Sequence, residues 1–310
     1  MLGGAALLLV VIRWIYYIRK FGAYKEKLAA SVLRTVNTAL FIYIFFILGW
    51  GANYNKPPLA ESWSLHSSID PAAPLDERKA KDRANLITFS KYLITRITAT
   101  APQYQNLPFT DINDRAKAYY REYTNSKVKE HGMGIKPTLF GFFMERMAVE
   151  GYYNPFTGEG QVNKGLPAFT MPFIVCHEMA HQAGIAAEGD ANLMAYALGT
   201  TVNDPTFNYS AYLNIWLYVN VRLYRRDSAA ALLLEAQLPA LTRAHIDTLE
   251  QINRKYHNEV ARYSTEIYDS YLKLQQQKDG IRSYGNVAAA AFQLEQRRRF
   301  TKTSIIKIPY

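Results

Sequence analysis

Apolar positions follow three kinds of pattern along this chain. The first is the unbroken run. Residues 2 to 18, LGGAALLLVVIRWIYYI, are interrupted only by Arg13, and residues 36 to 52, VNTALFIYIFFILGWGA, carry no charge. Each approaches the roughly 17 residues a helix needs to cross a bilayer. Trp14, Tyr16, Tyr17, Trp50 and Tyr54 stand towards their ends, where amphipathic rings settle at the membrane interface. The pattern predicts two transmembrane helices. Between them, residues 19 to 34 hold Arg19, Lys20, Lys25, Lys27 and Arg34, which assigns this loop to the cytoplasm and everything after Gly51 to the opposite side. An uncleaved or truncated signal segment fits the first run poorly, because it lacks a basic n-region and a clear small-residue cleavage site.

The second pattern has helical period. After a turn-rich stretch at 53 to 76, with Pro57, Pro58, Pro71 and Pro74, a helix is expected at 77 to 100 with Leu86, Phe89, Leu93 and Ile97 on one face. Another is expected at 113 to 130, carrying Tyr119, Tyr120 and Tyr123. Further on, helices are expected at 209 to 226, 229 to 236, 240 to 277 and 284 to 299, with breaks at Pro239 and at Asp279-Gly280. The third pattern is short and aromatic. Residues 140 to 153, then the turn residues Asn154, Pro155, Gly158 and Gly160, then Gln161-Val162-Asn163, predict a small β-hairpin or meander. Its edge at Gln161 to Asn163 is a place where an extended peptide can add by main-chain hydrogen bonds. The expected division is a membrane anchor at 1–52, a linker at 53–76 and a mainly helical domain at 77–310.

Composition changes this picture in two places. The formal charge of +10 suggests nucleic acid, yet residues 1 to 50 alone hold six Lys or Arg against Glu26, so half of it belongs to the anchor. What remains is ordinary for a domain of this size, and no nucleic-acid partner is expected. The single cysteine, Cys176, excludes an internal disulfide and a cysteine-based zinc set.

The chemistry is concentrated at Thr170 to Ala197, TMPFIVCHEMAHQAGIAAEGDANLMAYA. His177, Glu178 and His181 form H-E-x-x-H. Residues four apart share a helix face, so both imidazoles can reach one metal ion while Glu178 stands beside them. Thr170 is the expected N-cap, Pro172 suits a first turn and Gly184 a helix end. Two hydrogen-bonded core histidines are the plain alternative. Against it stands Glu188, which opens a second helix and can complete a three-ligand catalytic zinc site with an open position; Asp190 is its rival. Asn192 and Asp190 are candidates to orient a ligand histidine through its second nitrogen.

The segments HEMAHQAGIAAEGDAN, GYYNPFTGEGQVN and YLKLQQQKDGIRSYG together resemble an uncharacterised family of bacterial integral-membrane proteins known only as a domain of unknown function, itself similar to the HExxH zinc peptidases. The stretch from Glu188 to Asn192 also looks like the E-x-x-A-D element of gluzincin proteases, whose first Glu binds zinc. That resemblance implies a zincin-like soluble domain held in the bacterial inner membrane by two spans, with Zn²⁺ on His177, His181 and Glu188 and with Glu178 as general base in peptide-bond hydrolysis. The substrate would be a peptide or protein, in some cases close to the bilayer. An additional oxyanion donor is expected, drawn by residue type from Tyr209, His245, His257 and Tyr284; Tyr284 is preferred because it lies in a segment shared with the resembled family. Two other functions use the same residues. One is a non-catalytic, zinc-stabilised envelope scaffold, and the other a zinc hydrolase of another amide such as a peptidoglycan cross-link.

Overall fold

The computed structural model describes residues 12–17, 25–124, 133–147, 149–256 and 284–298. Ten helices and three strands are used below. They are α1 (Lys25–Gly49), α2 (Leu75–Thr100), α3 (Phe109–Tyr123), β1 (Ile135–Pro137), α4 (Gly141–Arg146), β2 (Gly151–Asn154), β3 (Glu159–Val162), α5 (Met171–Gln182), α6 (Glu188–Thr201), α7 (Pro205–Tyr224), α8 (Ser228–Glu235), α9 (Ala240–Tyr256) and α10 (Tyr284–Arg298). The protein is thus mainly helical with one small mixed sheet.

Among the described residues one helix is long and apolar enough to cross a membrane, Leu28–Gly49 within α1. It starts earlier than the uncharged run, because KEKLAASVLR is made largely of good helix formers and continues the same helix. Residues 25 to 34 of the expected cytoplasmic loop are therefore helical. The first apolar run lies outside the described residues except at 12–17, which are helical, so a second span is not seen.

The core is built on α6 and α7. In α6, Ala191 and Leu193 to Leu198 are all buried, the mark of a helix surrounded on every side. Small residues let its neighbours close in: a Cβ at Gly199 would stand 2.8 Å from the Ala211 Cβ on α7. α5, α7 and α10 pack directly on α6, while α2 lies along α7. Asp204 starts α7, accepting from the amides of Thr206 and Phe207 with Pro205 in the first turn, and it also binds Arg115 and the Tyr119 hydroxyl of α3. At the other pole Glu295 of α10 accepts from Tyr92 (2.6 Å), Tyr196 (3.1 Å) and Arg298 (2.9 Å), which ties α10 to α2 and α6.

Two expectations are corrected here. Residues 141 to 146, read as strand for their aromatics, form the short helix α4, since Met144, Glu145 and Arg146 favour helix. The sheet order is β1-β3-β2, with β1 parallel and β2 antiparallel to β3. Gln161 and Val162 therefore lie in the central strand, paired on both sides, and among the described residues β1 and β2 are the edge strands, with no strand paired to the outer edge of β2. The stretch expected as a linker also touches the core. Leu59 is fully buried, its amide is held by the Asp190 carboxylate, and the Lys56 ammonium donates to the Gly184 carbonyl at 3.3 Å. The extents of α2, α7 and α8 match expectation to within about four residues; the continuations expected at 125–130 and 257–277 lie outside the described residues.

Candidate metal centre

α5 begins with Pro172 in its first turn, but Thr170 does not cap it. Its backbone is already helical, and its hydroxyl donates to the Pro167 carbonyl at 2.8 Å. The helix end is more informative. Gly184 has φ +86°, its amide bonds to the His181 carbonyl, and the Ile185 amide bonds to the Ala180 carbonyl. This pair of bonds is a Schellman stop, which needs a left-handed residue where Gly184 stands. The turn delivers two groups to the histidines: the Ile185 carbonyl, and Glu188 at the start of α6.

His177 and His181 lie edge to face with ring centroids 4.8 Å apart, and their Nε2 atoms are 3.2 Å apart. Glu188 Oε2 is 3.2 Å from His177 Nε2, and Glu188 Oε1 is 3.6 Å from His181 Nε2. One ligand atom from each residue falls within a 4.8 Å group, so the three could hold a metal ion. The remaining ring nitrogens set the tautomers. His181 Nδ1 is 2.7 Å from the Ile185 carbonyl, and His177 Nδ1 is 2.9 Å from Asn192 Oδ1. A carbonyl oxygen only accepts, so each Nδ1 carries the hydrogen and each neutral ring turns its Nε2 lone pair towards the other and towards the carboxylate. Three acceptors converging on one point repel unless a cation or a proton lies between them, and that donor set fits a divalent transition metal.

The titration behaviour agrees with this. Burial lowers the affinity of His181 for a proton, but the Glu188 carboxylate outweighs it, and with Glu178 and the Ile185 carbonyl raises the pKa to about 9. For Glu188 burial acts upwards, yet the two histidines hold its carboxyl well below the usual range. Without a metal, a proton shared by this pair does the neutralising. Glu178 is different. It is 3 % exposed, and burial pushes its pKa to about 7 against the downward pull of His177 and His181, with Glu188 and Glu150 adding to the rise. Its Oε2 has no hydrogen-bond partner among the described residues.

The sheet lies over this acid. Alternation along β2 and β3 turns Gly151 and Gly160 towards α5. A Cβ at Gly151 would run into Glu178 Oε1, and one at Gly160 would meet Ile135 Cδ1 at 2.5 Å and Glu178 Cβ at 3.4 Å. The glycines are the room that Glu178 occupies. Tyr153 of β2 faces the same way, its ring 6.3 Å from that of His181 and 4.3 Å from that of Trp50, the residue after α1. Trp50 itself stands edge-on to His181 at 6.5 Å.

The structure thus brings together His177, His181, Glu188, Glu178 and, behind His177, Asn192. Asp190 is not among the metal-holding group, since its carboxylate turns to the Leu59 amide. Tyr209 is fully buried and bonded to Thr242 (3.2 Å) and to His245 Nδ1 (2.7 Å), and His245 stacks on Phe169. Those two residues form a packing cluster of their own. Tyr284 opens α10, but its side chain, like His257, lies outside the described residues. Two groups at the site had gone unnoticed. Glu150, just before β2, is exposed to solvent yet near enough to His177 and Glu178 for their charges to act on one another. Tyr218, on α7, is half-buried; burial, then the charges of Glu150 and Glu188, hold its phenol proton well above the usual tyrosine range. Neither carries a local sequence signal, because both arrive through tertiary packing.

No curated protein matches this chain, and no solved structure does. Residues 2–290 match the family described as "Protein of unknown function (DUF3810)", and with nearly the whole chain covered, the protein belongs to that family.

Proposed function

We propose that the protein is a membrane-anchored zinc-dependent peptidase with a zincin-like site. The observation that carries this reading is Glu178, a buried carboxyl with an unpartnered oxygen and a position beside three convergent metal donors. A site that only stabilised the fold would gain nothing from that acid, because a buried polar atom left without a partner costs about 1–3 kcal/mol.

His177, His181 and Glu188 would hold the ion. Zinc, when bound there, supplies a Lewis acid that makes a water acidic near neutral pH and polarises a carbonyl. Glu178 would take a proton at Oε2 from the attacking water and return it to the leaving amine, a role for which its unpartnered oxygen is available. Asn192 and the Ile185 carbonyl fix the histidine tautomers. Tyr218, whose phenol burial and then the charges of Glu150 and Glu188 keep protonated, is the candidate donor for negative charge developing on the carbonyl oxygen.

The open edge of β2 gives a peptide somewhere to lie. Asn163 donates to the Glu150 carbonyl, and with Tyr152 opposite Gln161 this phase turns the N–H and C=O of Gly151 and Tyr153 outward. An extended chain added there passes beside Glu178. As to compartment, Lys25, Lys27 and Arg34 sit at the N-terminal end of α1, so the rest of the chain follows on the extracytoplasmic side, and the apolar run at 2–18 would make the anchor two-span.

The test is hydrolysis of a mixed peptide library by purified, zinc-loaded protein. Glu178→Gln should keep zinc and fold while the rate falls by about 10²–10⁴-fold. Zinc retained at full stoichiometry by both His177→Ala and Glu188→Ala would overturn the assignment.

A further inference from the structure

The residues that leave the membrane helix form a wall of the metal centre, and their spacing fixes how far that centre lies from the bilayer. The stretch Leu28–Gly49 has 22 residues, and its one charge, Arg34, lies in the turns nearest the cytoplasmic end, from where a long arginine side chain reaches back to the interface. As a helix the stretch reaches about 33 Å, close to the roughly 30 Å of a hydrocarbon core, so it leaves the apolar layer near Gly49. Trp50 is the next residue, and its ring centroid is 6.5 Å from that of His181. The headgroup layer on one face is about 5–8 Å thick. The His181 ring therefore lies within about one headgroup-layer thickness of the hydrocarbon edge.

The hairpin agrees. Phe156, in the β2–β3 turn, stacks on Phe45 at 6.1 Å and 6° and also contacts Phe46 at 6.3 Å. Those two lie a full turn before Trp50, about 6 Å back along α1. Tyr153, within β2, meets Trp50 instead. Along the hairpin, the tip thus points towards the apolar layer and the Glu150 end points away from it. β2 is four residues long, about 13 Å, so a chain emerging from the bilayer beside α1 meets its open edge at once and reaches Glu178, opposite Gly151, after about four to eight residues.

We infer that the substrate of this site is the juxtamembrane stretch of a membrane-anchored polypeptide, cut within about four to eight residues of the hydrocarbon edge. The inference rests on the hydrolase reading above and on α1 spanning a bilayer. It adds what neither contains: the distance from the membrane, and not a recognition sequence alone, selects the bond.

Two measurements on the full chain in phospholipid vesicles test it. In the first, Cu²⁺ is bound at the histidines and quenching of a headgroup-attached dye is read; wild type should quench it strongly and His177→Ala/His181→Ala should not. In the second, vesicles carry a single-span peptide whose cleavable sequence, chosen from the library, follows the span after spacers of about 2, 6, 12 or 24 residues. Anchoring is the same in all four, so only reach differs. The rate should peak at the spacer of about 6 and fall at least tenfold by about 24. Equal rates at every spacer, or a bound Cu²⁺ that leaves the headgroup dye bright, would overturn the inference while the peptidase stands. Quenching without cleavage of any peptide would overturn the peptidase and this substrate with it, leaving only the depth of the centre.

Discussion

The protein buries a carboxylate at each of two poles, and the two are treated in opposite ways. Glu295 has both oxygens occupied, by Tyr92, Tyr196 and Arg298, and Arg298 in turn reaches the Ala197 carbonyl and the hydroxyls of Thr200 and Thr201. Every charge in that cluster has an answer, and its effect is to hold α10 against α2 and α6. Glu178 is as deeply buried, its side chain lies under Gly151 and Gly160, and its Oε2 is left without a partner among the described residues. A satisfied buried network supports a fold; Glu178 shares its missing partner with a few other buried atoms, but it alone of the acids among them stands beside three convergent metal donors, and that position is what holds it there.

The widest separation between the two poles should appear in Glu178→Gln. Peptide hydrolysis should fall by about 10²–10⁴-fold while thermal stability stays equal or rises, since a neutral amide is cheaper to bury there. A drop in melting temperature as large as that of a Glu295 variant would break the contrast. Glu295→Ala should do the reverse. It leaves Arg298 without its acid and should cost about 3–5 kcal/mol in denaturant unfolding, while zinc affinity per folded molecule is unchanged. Next in size is Asn192→Ala, which frees His177 Nδ1 and should weaken zinc binding about ten- to a hundredfold by competition titration, with little effect on melting of the metal-free protein.

The pH dependence of the metal-free protein sharpens the comparison further. Glu178 titrates at about 7 in the fold, above its ordinary value, so stability is lost as it ionises on the way up from pH about 4.5 to 7. His181 is raised to about 9, so its contribution is complete below about 6.5 and disappears as pH climbs to 9. Both act in one direction. Melting in chelator should therefore fall steadily from pH 6 to pH 9, and Glu188→Gln, which removes the charge that raises His181, should flatten the upper half of that fall. The smallest effect belongs to Gly184→Ala. A φ of +86° is strained for alanine, and its Cβ would stand 3.1 Å from Lys56 Nζ. About 1 kcal/mol of stability should be lost, read as a shift in the urea midpoint.

Much of the centre was legible because it is local. Four-residue spacing puts His177 and His181 on one face whatever the rest of the chain does, and the left-handed Gly184 brings Glu188 back within seven residues. The choice of Glu188 over Asp190 was not legible, since it depends on where the Leu59 amide lies. Nor were Glu150 and Tyr218, which reach the site only once β2 and α7 have packed. The helices were readable from their period. The sheet was misread because its central strand is defined by β1, a three-residue segment, Ile135–Pro137, with no alternation of its own to detect. Aromatic residues misled at α4, where six residues of mixed propensity were settled by their neighbours.

The burial of α6 on all sides has a kinetic consequence. Glu188 and the Asn192 support both stand on the element most completely enclosed by the core, so two parts of the chelate cannot swing away one at a time as ligands on a loop do. An ion captured there exchanges no faster than that core opens. Stripping by a strong chelator should then be a clock for opening of the interior, its rate tracking amide-proton exchange in α6 and not the concentration of chelator.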